Sequence, residues 1–113
     1  MPEQQLETLE ALASRFARTA GIFTQKVIYS LLHWLREDLP TFIDKMNFCE
    51  KIGVITAAGD LIEIRALRNA ITHEYQQRDL IELYRKVLSS EPKLRASIGL
   101  TQKSIAEKLP PII

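Results

Sequence analysis

Across residues 5–37 the apolar side chains Leu6, Leu9, Ala13, Phe16, Ala20, Phe23, Val27, Leu31, Trp34 and Leu35 recur at steps of three and four. That is the spacing of one face of an α-helix, so the stretch reads as one long helix or as two joined near Gly21. Pro40 forbids simple continuation, because it lacks an N–H and biases Leu39 away from helical dihedrals. A short second helix is predicted over 41–51, burying Phe42, Ile43, Met46 and Cys49 or Ile52. Gly53 is placed to end it.

A third helix is predicted from Thr56 or Asp60 through Tyr75. Asp60 with Glu63 three residues later fits a variant of the capping box, and Ile64, Leu67 and Ile71 continue the apolar stripe. The polar run Gln76, Gln77, Arg78 then predicts a turn. Asp79 can cap a fourth helix carrying Leu80, Leu83, Tyr84, Val87 and Leu88. Ser90, with Pro92 in the first turn, opens a fifth helical stretch through Leu94, Ile98, Ile105 and Leu109, which Pro110 and Pro111 stop. No repeat or low-complexity segment interrupts this order. The expected fold is therefore all-α, a bundle of four to five helices in a single domain over 1–113, with a C-terminal tail from about residue 99.

Composition supports that class and removes several functions. At 113 residues the chain supports one core, and only four Gly and five Pro argue against a turn-rich β fold. Fifteen Lys and Arg against fourteen Asp and Glu leave a formal net charge of +1, so a polyanion would have to be held by a few placed residues and not by a basic field. Cys49, as the single cysteine, cannot form an internal disulfide, which makes a reducing cytoplasm the default expectation. With Cys49, His33 and His73 as the only soft ligands, a structural zinc site of about four ligands is not expected, nor is another cofactor. The acidic, polar start MPEQQLETLE is unlike a signal peptide, and no run approaches the roughly 18 apolar residues of a membrane span. His33, Trp34, Tyr29 and Tyr84 read as core, interface or packing residues, and Cys49 as a small buried hydrophobe.

The segment Arg65-Ala66-Leu67-Arg68-Asn69-Ala70-Ile71-Thr72-His73-Glu74-Tyr75 is different. At about 100° per residue, Tyr75, Arg68, Thr72, Arg65, Asn69 and His73 follow one another around one continuous arc, flanked by Ile64, Leu67 and Ile71. A solvated face would more often be Glu and Lys, while Arg, Asn, His and Tyr are costly to bury without partners. Arg68 and His73 bracket the arc about 140° apart on an ideal helix, poorly placed in one copy to act on one phosphate. Two copies facing across a two-fold axis would bring them together.

The run from Arg68 to Tyr75 resembles the Arg-x-x-x-x-His-x-Tyr signature of HEPN-domain toxins, in particular the HepT-like ribonucleases paired with a minimal nucleotidyltransferase antitoxin. The resemblance extends over about residues 5 to 98 through the helical order and the all-α length. It implies a metal-independent endoribonuclease acting on tRNA or mRNA from a composite site in a homodimer cleft. By the same resemblance Arg68 and His73 are the catalytic pair, Asn69 orients them, Arg65 and Thr72 support them, and Tyr75 carries the hydroxyl on which the partner places AMP. One departure stands out: the family often has a carboxylate on an early helix to position the motif arginine, and Gly21 stands where one is expected, with Arg15 and Arg18 nearby.

The residue types suit that chemistry. RNA brings its own nucleophile in the 2′-hydroxyl, so cleavage needs a base for its proton and a cation for the phosphorane charge. Neutral His73 can supply the first, typically worth about 10² to 10⁴ in rate. The planar donor fork of Arg68 suits the second. Two other readings stay open: a non-catalytic subunit that uses the same motif to dock a nucleotidyltransferase, and a plain helical interaction domain. The segment 99–109 looks like the first helix of a helix-turn-helix, but no recognition helix follows it.

Overall fold

A computed structural model describes residues 2–72 and 77–108, and among them the only regular structure is helical. The described residues make four rods. The first comprises α1 (Glu3–Gly21), a π-helical turn (Ile22–Val27) and α2 (Ile28–Trp34), which follow without a break. Then come α3 (Phe42–Lys51), α4 (Ala58–Ile71) and α5 (Gln77–Lys108). The third of these rods, α4, is central and packs against α1, α3 and α5. The body measures 50 × 31 × 19 Å, its long dimension matching the 32 residues of α5 at about 1.5 Å each.

The first rod follows its predicted stripe as far as the π turn. Ala13, Phe16, Ala20 and Phe23 are buried, and Leu6 and Leu9 are half-buried against the core. Beyond Phe23 the face shifts: Thr24, Ile28 and Leu32 join Leu31 in the interior, while Trp34 and Leu35 stand 54% and 36% exposed. A π turn accommodates an extra residue relative to α-helical winding, so every later position rotates against the ruler set by α1. His33 and Trp34 are thus surface residues. The rod ends in a Schellman arrangement, with Glu37 N–H donating to the Leu32 carbonyl at 2.9 Å and Arg36 N–H to His33 at 3.0 Å. Arg36 takes the left-handed conformation this requires, at φ 59°.

Thr41 caps α3 by accepting from Asp44 N–H at 3.0 Å. Met46 and Cys49 are buried as expected, but Ile43 is 54% exposed, because the buried stripe of so short a helix is only one row wide. Gly53, at φ +80°, lets Val54 N–H return to the Cys49 carbonyl at 3.0 Å and closes the helix. The α3–α4 connection is fastened from both sides. Thr56 N–H donates to Ser97 Oγ at 3.0 Å, Thr101 Oγ1 donates to the Val54 carbonyl at 2.6 Å, and Ala58 N–H donates to Glu50 Oε1 at 3.0 Å. These contacts replace the expected capping box: α4 starts at Ala58, two residues before Asp60, whose carboxylate accepts from Thr56 Oγ1.

The C-terminal half departs most from the sequence pattern. The predicted fourth and fifth helices are one, running through Pro92, and Gln77, Arg78 and Asp79 belong to its first turn instead of a turn and a cap. Pro92 and the residue four before it, Leu88, both face solvent, so the carbonyl left without a helical donor can be hydrated while Val87, Ser90, Leu94 and Ser97 stay buried. Residues 99–108 are likewise not a tail: they continue α5, with Thr101 buried and Ile105 packed on the core. The predicted stop at Pro110 and Pro111 lies outside the described residues. Among the described residues no helix is long and apolar enough to cross a membrane.

Candidate active site

Of the arc read from sequence, Arg65, Arg68 and Asn69 fall on the last two turns of α4, which ends at Ile71 with Thr72 at its C-cap. Leu61, Ile64 and Leu67 bury the opposite flank and fix how the helix is rotated. That rotation decides which polar side chains are half-sunk and which are free: Arg65 and Arg68 are half-buried, Asn69 and Thr72 exposed. His73 and Tyr75, the expected base and modification site, lie outside the described residues, as does Glu74.

Arg68 leans toward the end of α1, its guanidinium coming to rest over Gly21. Its Nη1 donates to Asn69 Oδ1 at 3.0 Å. No carboxylate among the described residues pairs with it. The amide that was expected to orient the arginine therefore does touch it, and it does so through a bond between sequence neighbours. Thr72 Oγ1 donates to the Asn69 carbonyl at 2.8 Å, satisfying one of the last open carbonyls of α4.

Arg65 leans the other way, toward α3. Its guanidinium carbon sits 4.2 Å from the centroid of the Phe42 ring, a cation–π contact that occupies one face of the group, and no carboxylate among the described residues pairs with its N–H edge. The two arginines stand about 60° apart around the helix. Together they form a cationic ledge between the end of α1 and the start of α3. Sequence reasoning set Gly21 where a partner of the motif arginine is expected, and missed Phe42. A glycine in the middle of an apolar helical pattern was a further signal for the first, since such a residue costs stability unless something needs the space.

A cleft lies elsewhere. Glu63, Ala66, Leu67, Ala70, Glu82, Leu83, Lys86 and Ser90 line a groove of about 360 Å³ between α4 and α5, on the side of α4 away from the arginine ledge. Its walls are mainly apolar, and it holds no convergent set of polar groups. Cys49, the single thiol, is fully buried, and burial pushes its pKa up to about 11, so it is a packing residue without nucleophilic character at neutral pH. Among the described residues no group of three or more His, Cys, Asp and Glu side chains is placed to hold a metal ion.

Comparison with protein-family models, with curated proteins and with solved structures finds no match. What the site can do is therefore argued from its chemistry. An arginine braced by an amide, half-sunk and without a counter-ion among the described residues, is suited to an oxyanion ligand, most of all a phosphodiester.

Proposed function

We propose that this chain is a HEPN-type endoribonuclease, the toxin of a toxin–antitoxin pair, in which Arg68 holds the scissile phosphate and His73 moves the proton. The observation that carries the reading is the state of Arg68: hydrogen-bonded to Asn69 Oδ1, seated on Gly21, and with no carboxylate partner among the described residues. A guanidinium held only for fold stability would more often be paired. A docking surface has no need of an uncompensated cation at its centre.

In this mechanism His73 takes the 2′-hydroxyl proton as the 2′-oxygen forms a bond to phosphorus. The bond from phosphorus to the 5′-oxygen breaks, and that oxygen leaves with a proton, giving a 2′,3′-cyclic phosphate and a 5′-hydroxyl. Arg68 donates to the non-bridging oxygens, whose charge grows toward the phosphorane. The working unit is a homodimer in which both copies of α4 face one cleft, so that Arg68 and His73 of the two copies act on one phosphate. Tyr75, two residues past His73, takes AMP from ATP through its hydroxyl with release of pyrophosphate, catalysed by a minimal nucleotidyltransferase antitoxin. The added phosphate competes for Arg68 and blocks entry of RNA.

The test is cleavage of total RNA by the purified chain, with product ends identified. Arg68→Ala and His73→Ala are expected to abolish cleavage and growth inhibition while leaving helicity and melting nearly unchanged, and chelation is expected to have no effect. Survival of cleavage in either variant overturns the assignment. Light scattering at micromolar concentration is expected to give twice 12.9 kDa. Mass spectrometry after co-expression with a nucleotidyltransferase is expected to find AMP on Tyr75, with Tyr75→Phe remaining toxic.

A further inference from the structure

Arg65 and Arg68 are half-buried, whereas Arg15, Arg18, Arg36, Arg85 and Arg95 are exposed. Three residues apart, the two half-sunk arginines bring like charges onto adjoining positions of one helix, which is unfavourable unless something offsets it. Nothing on α4 does so for Arg65. One turn away on either side stand Leu61, Ile62, Arg68 and Asn69, and no carboxylate among the described residues pairs with it. The helix dipole favours a cation at Arg68, in the last turn, but fades before it reaches Arg65.

Phe42 holds Arg65 without using its donors. The ring belongs to the first turn of α3, packs against the core, and lies under the flat face of the guanidinium, 4.2 Å from its carbon. A guanidinium covered on one face keeps its N–H groups pointing outward in its plane, the edge that matches phosphate oxygens. No described acceptor takes a hydrogen bond from that edge, whereas Arg68 donates to Asn69 and Arg95 to Glu91. The two side chains leave α4 about 5 to 6 Å apart. They then diverge, Arg68 toward the end of α1 and Arg65 toward α3, so they are placed for two phosphates and not for one.

We propose that Arg65, braced by Phe42, binds the phosphate next to the scissile one, so that the ledge grips two successive phosphates of one RNA strand. The proposal rests on the reading of Arg68 as the contact to the scissile phosphate and adds a second subsite beside it. Phe42 acts as a positioning residue, through Arg65.

The experiment measures kcat/KM on the shortest RNA strand, spanning a site mapped in total RNA, that the parent chain still cuts. The linkage on the 5′ or the 3′ side of the scissile one is replaced by an uncharged methylphosphonate. The nucleotide preceding the replaced linkage is 2′-O-methylated in the charged and neutral strands alike, so that its own hydroxyl cannot attack. In the parent chain one of the two neutral linkages is expected to lower kcat/KM roughly 10-fold, the low end for a hydrogen bond to a charged group. Arg65→Ala is expected to lose about as much on the charged strand and to respond to that linkage by less than about twofold, the limit for uncoupled changes. The other linkage should affect both chains alike. Phe42→Leu, which keeps an apolar side chain against the core and removes the aromatic face, is expected to lose part of the same sensitivity.

A purely structural role for Arg65 would lower the rate on every strand by the same factor and leave the response to both neutral linkages intact. That result overturns the proposal, as does a parent chain indifferent to both. Equal loss of sensitivity at the two linkages also overturns it, because it reports a diffuse field and not a contact. The underlying reading fails separately, if total RNA is not cut or if cutting survives Arg68→Ala.

Discussion

Replacing Pro92 with alanine tests whether packing alone carries α5 through a residue that should interrupt it. Proline in a helix interior is about 3 kcal/mol less favourable than alanine, through the missing N–H and the clash of its ring with the carbonyl four residues back. Here that residue is Leu88, 54% exposed, so water can serve its carbonyl and part of the penalty is already relieved. Alanine also loosens the unfolded chain, which subtracts about 0.4 to 1 kcal/mol. The net expectation is a gain of about 2 kcal/mol. At an unfolding entropy near 0.24 kcal/mol/K for 113 residues, that raises the melting temperature by about 8 °C. Thermal and urea melts followed by circular dichroism measure it, with the urea dependence unchanged if both chains expose the same surface on unfolding. A neutral or destabilising result would refute the reasoning. It would mean that the bundle uses a bend at Pro92 to seat Leu94, Ser97 and Thr101, and that alanine straightens the helix away from them.

Arg36→Gly is expected to stabilise the fold by about 0.5 to 1 kcal/mol in the same melts, because Arg36 holds φ 59° on the surface where glycine has no steric penalty; Arg36→Ala should bring no such gain. Thr101→Val is expected to cost about 1 to 3 kcal/mol, since the Val54 carbonyl loses a donor at a buried site, and Thr101→Ser should recover most of it. Cys49 should react with a thiol reagent only as fast as the chain opens, measured by labelling with and without urea. Burial raises the folded pKa of Cys49 to about 11, and burial with the nearby Glu10 charge raises that of Tyr84, so each favours its neutral form in the fold. Their contribution is complete below the unfolded pKa and falls away as pH rises, so urea midpoints should hold at neutral pH and drop from about pH 9 toward 11. An unchanged midpoint across that window would contradict the burial of both groups.

The legible part of the fold was whatever depends on neighbours in sequence. Leu6 to Phe23 share one face because helical spacing is local, and Gly53 ended α3 because a left-handed residue after a helix is a local requirement. Non-local contacts were not legible. Ser97 and Thr101 reach across from α5 to Thr56 and Val54 and, with Glu50, replace the cap predicted at Asp60. Pro92 reads as a helix start until its solvent-facing position is known. The same division runs through the site. The adjacency of Arg68 and Asn69 was visible in the motif, and the resemblance set Gly21 beside the motif arginine, whereas Phe42 meets Arg65 only because α3 packs on α4.

The π turn at Ile22–Val27 also sets where this chain can absorb a change in its own length. Removing one residue there would let the first rod wind as an uninterrupted α-helix, and Ile28–Trp34 would keep their facing against α1, because the residue lost is the extra one that the π turn takes up. Ile28 and Leu32, at 0% and 1% exposure, would stay in the interior. A single-codon deletion in this stretch should therefore be far less damaging than one within Glu3–Gly21, where every residue beyond the cut would turn by about 100°. Any alignment that slides a related sequence past this point without a one-residue gap would pair surface positions of one with core positions of the other.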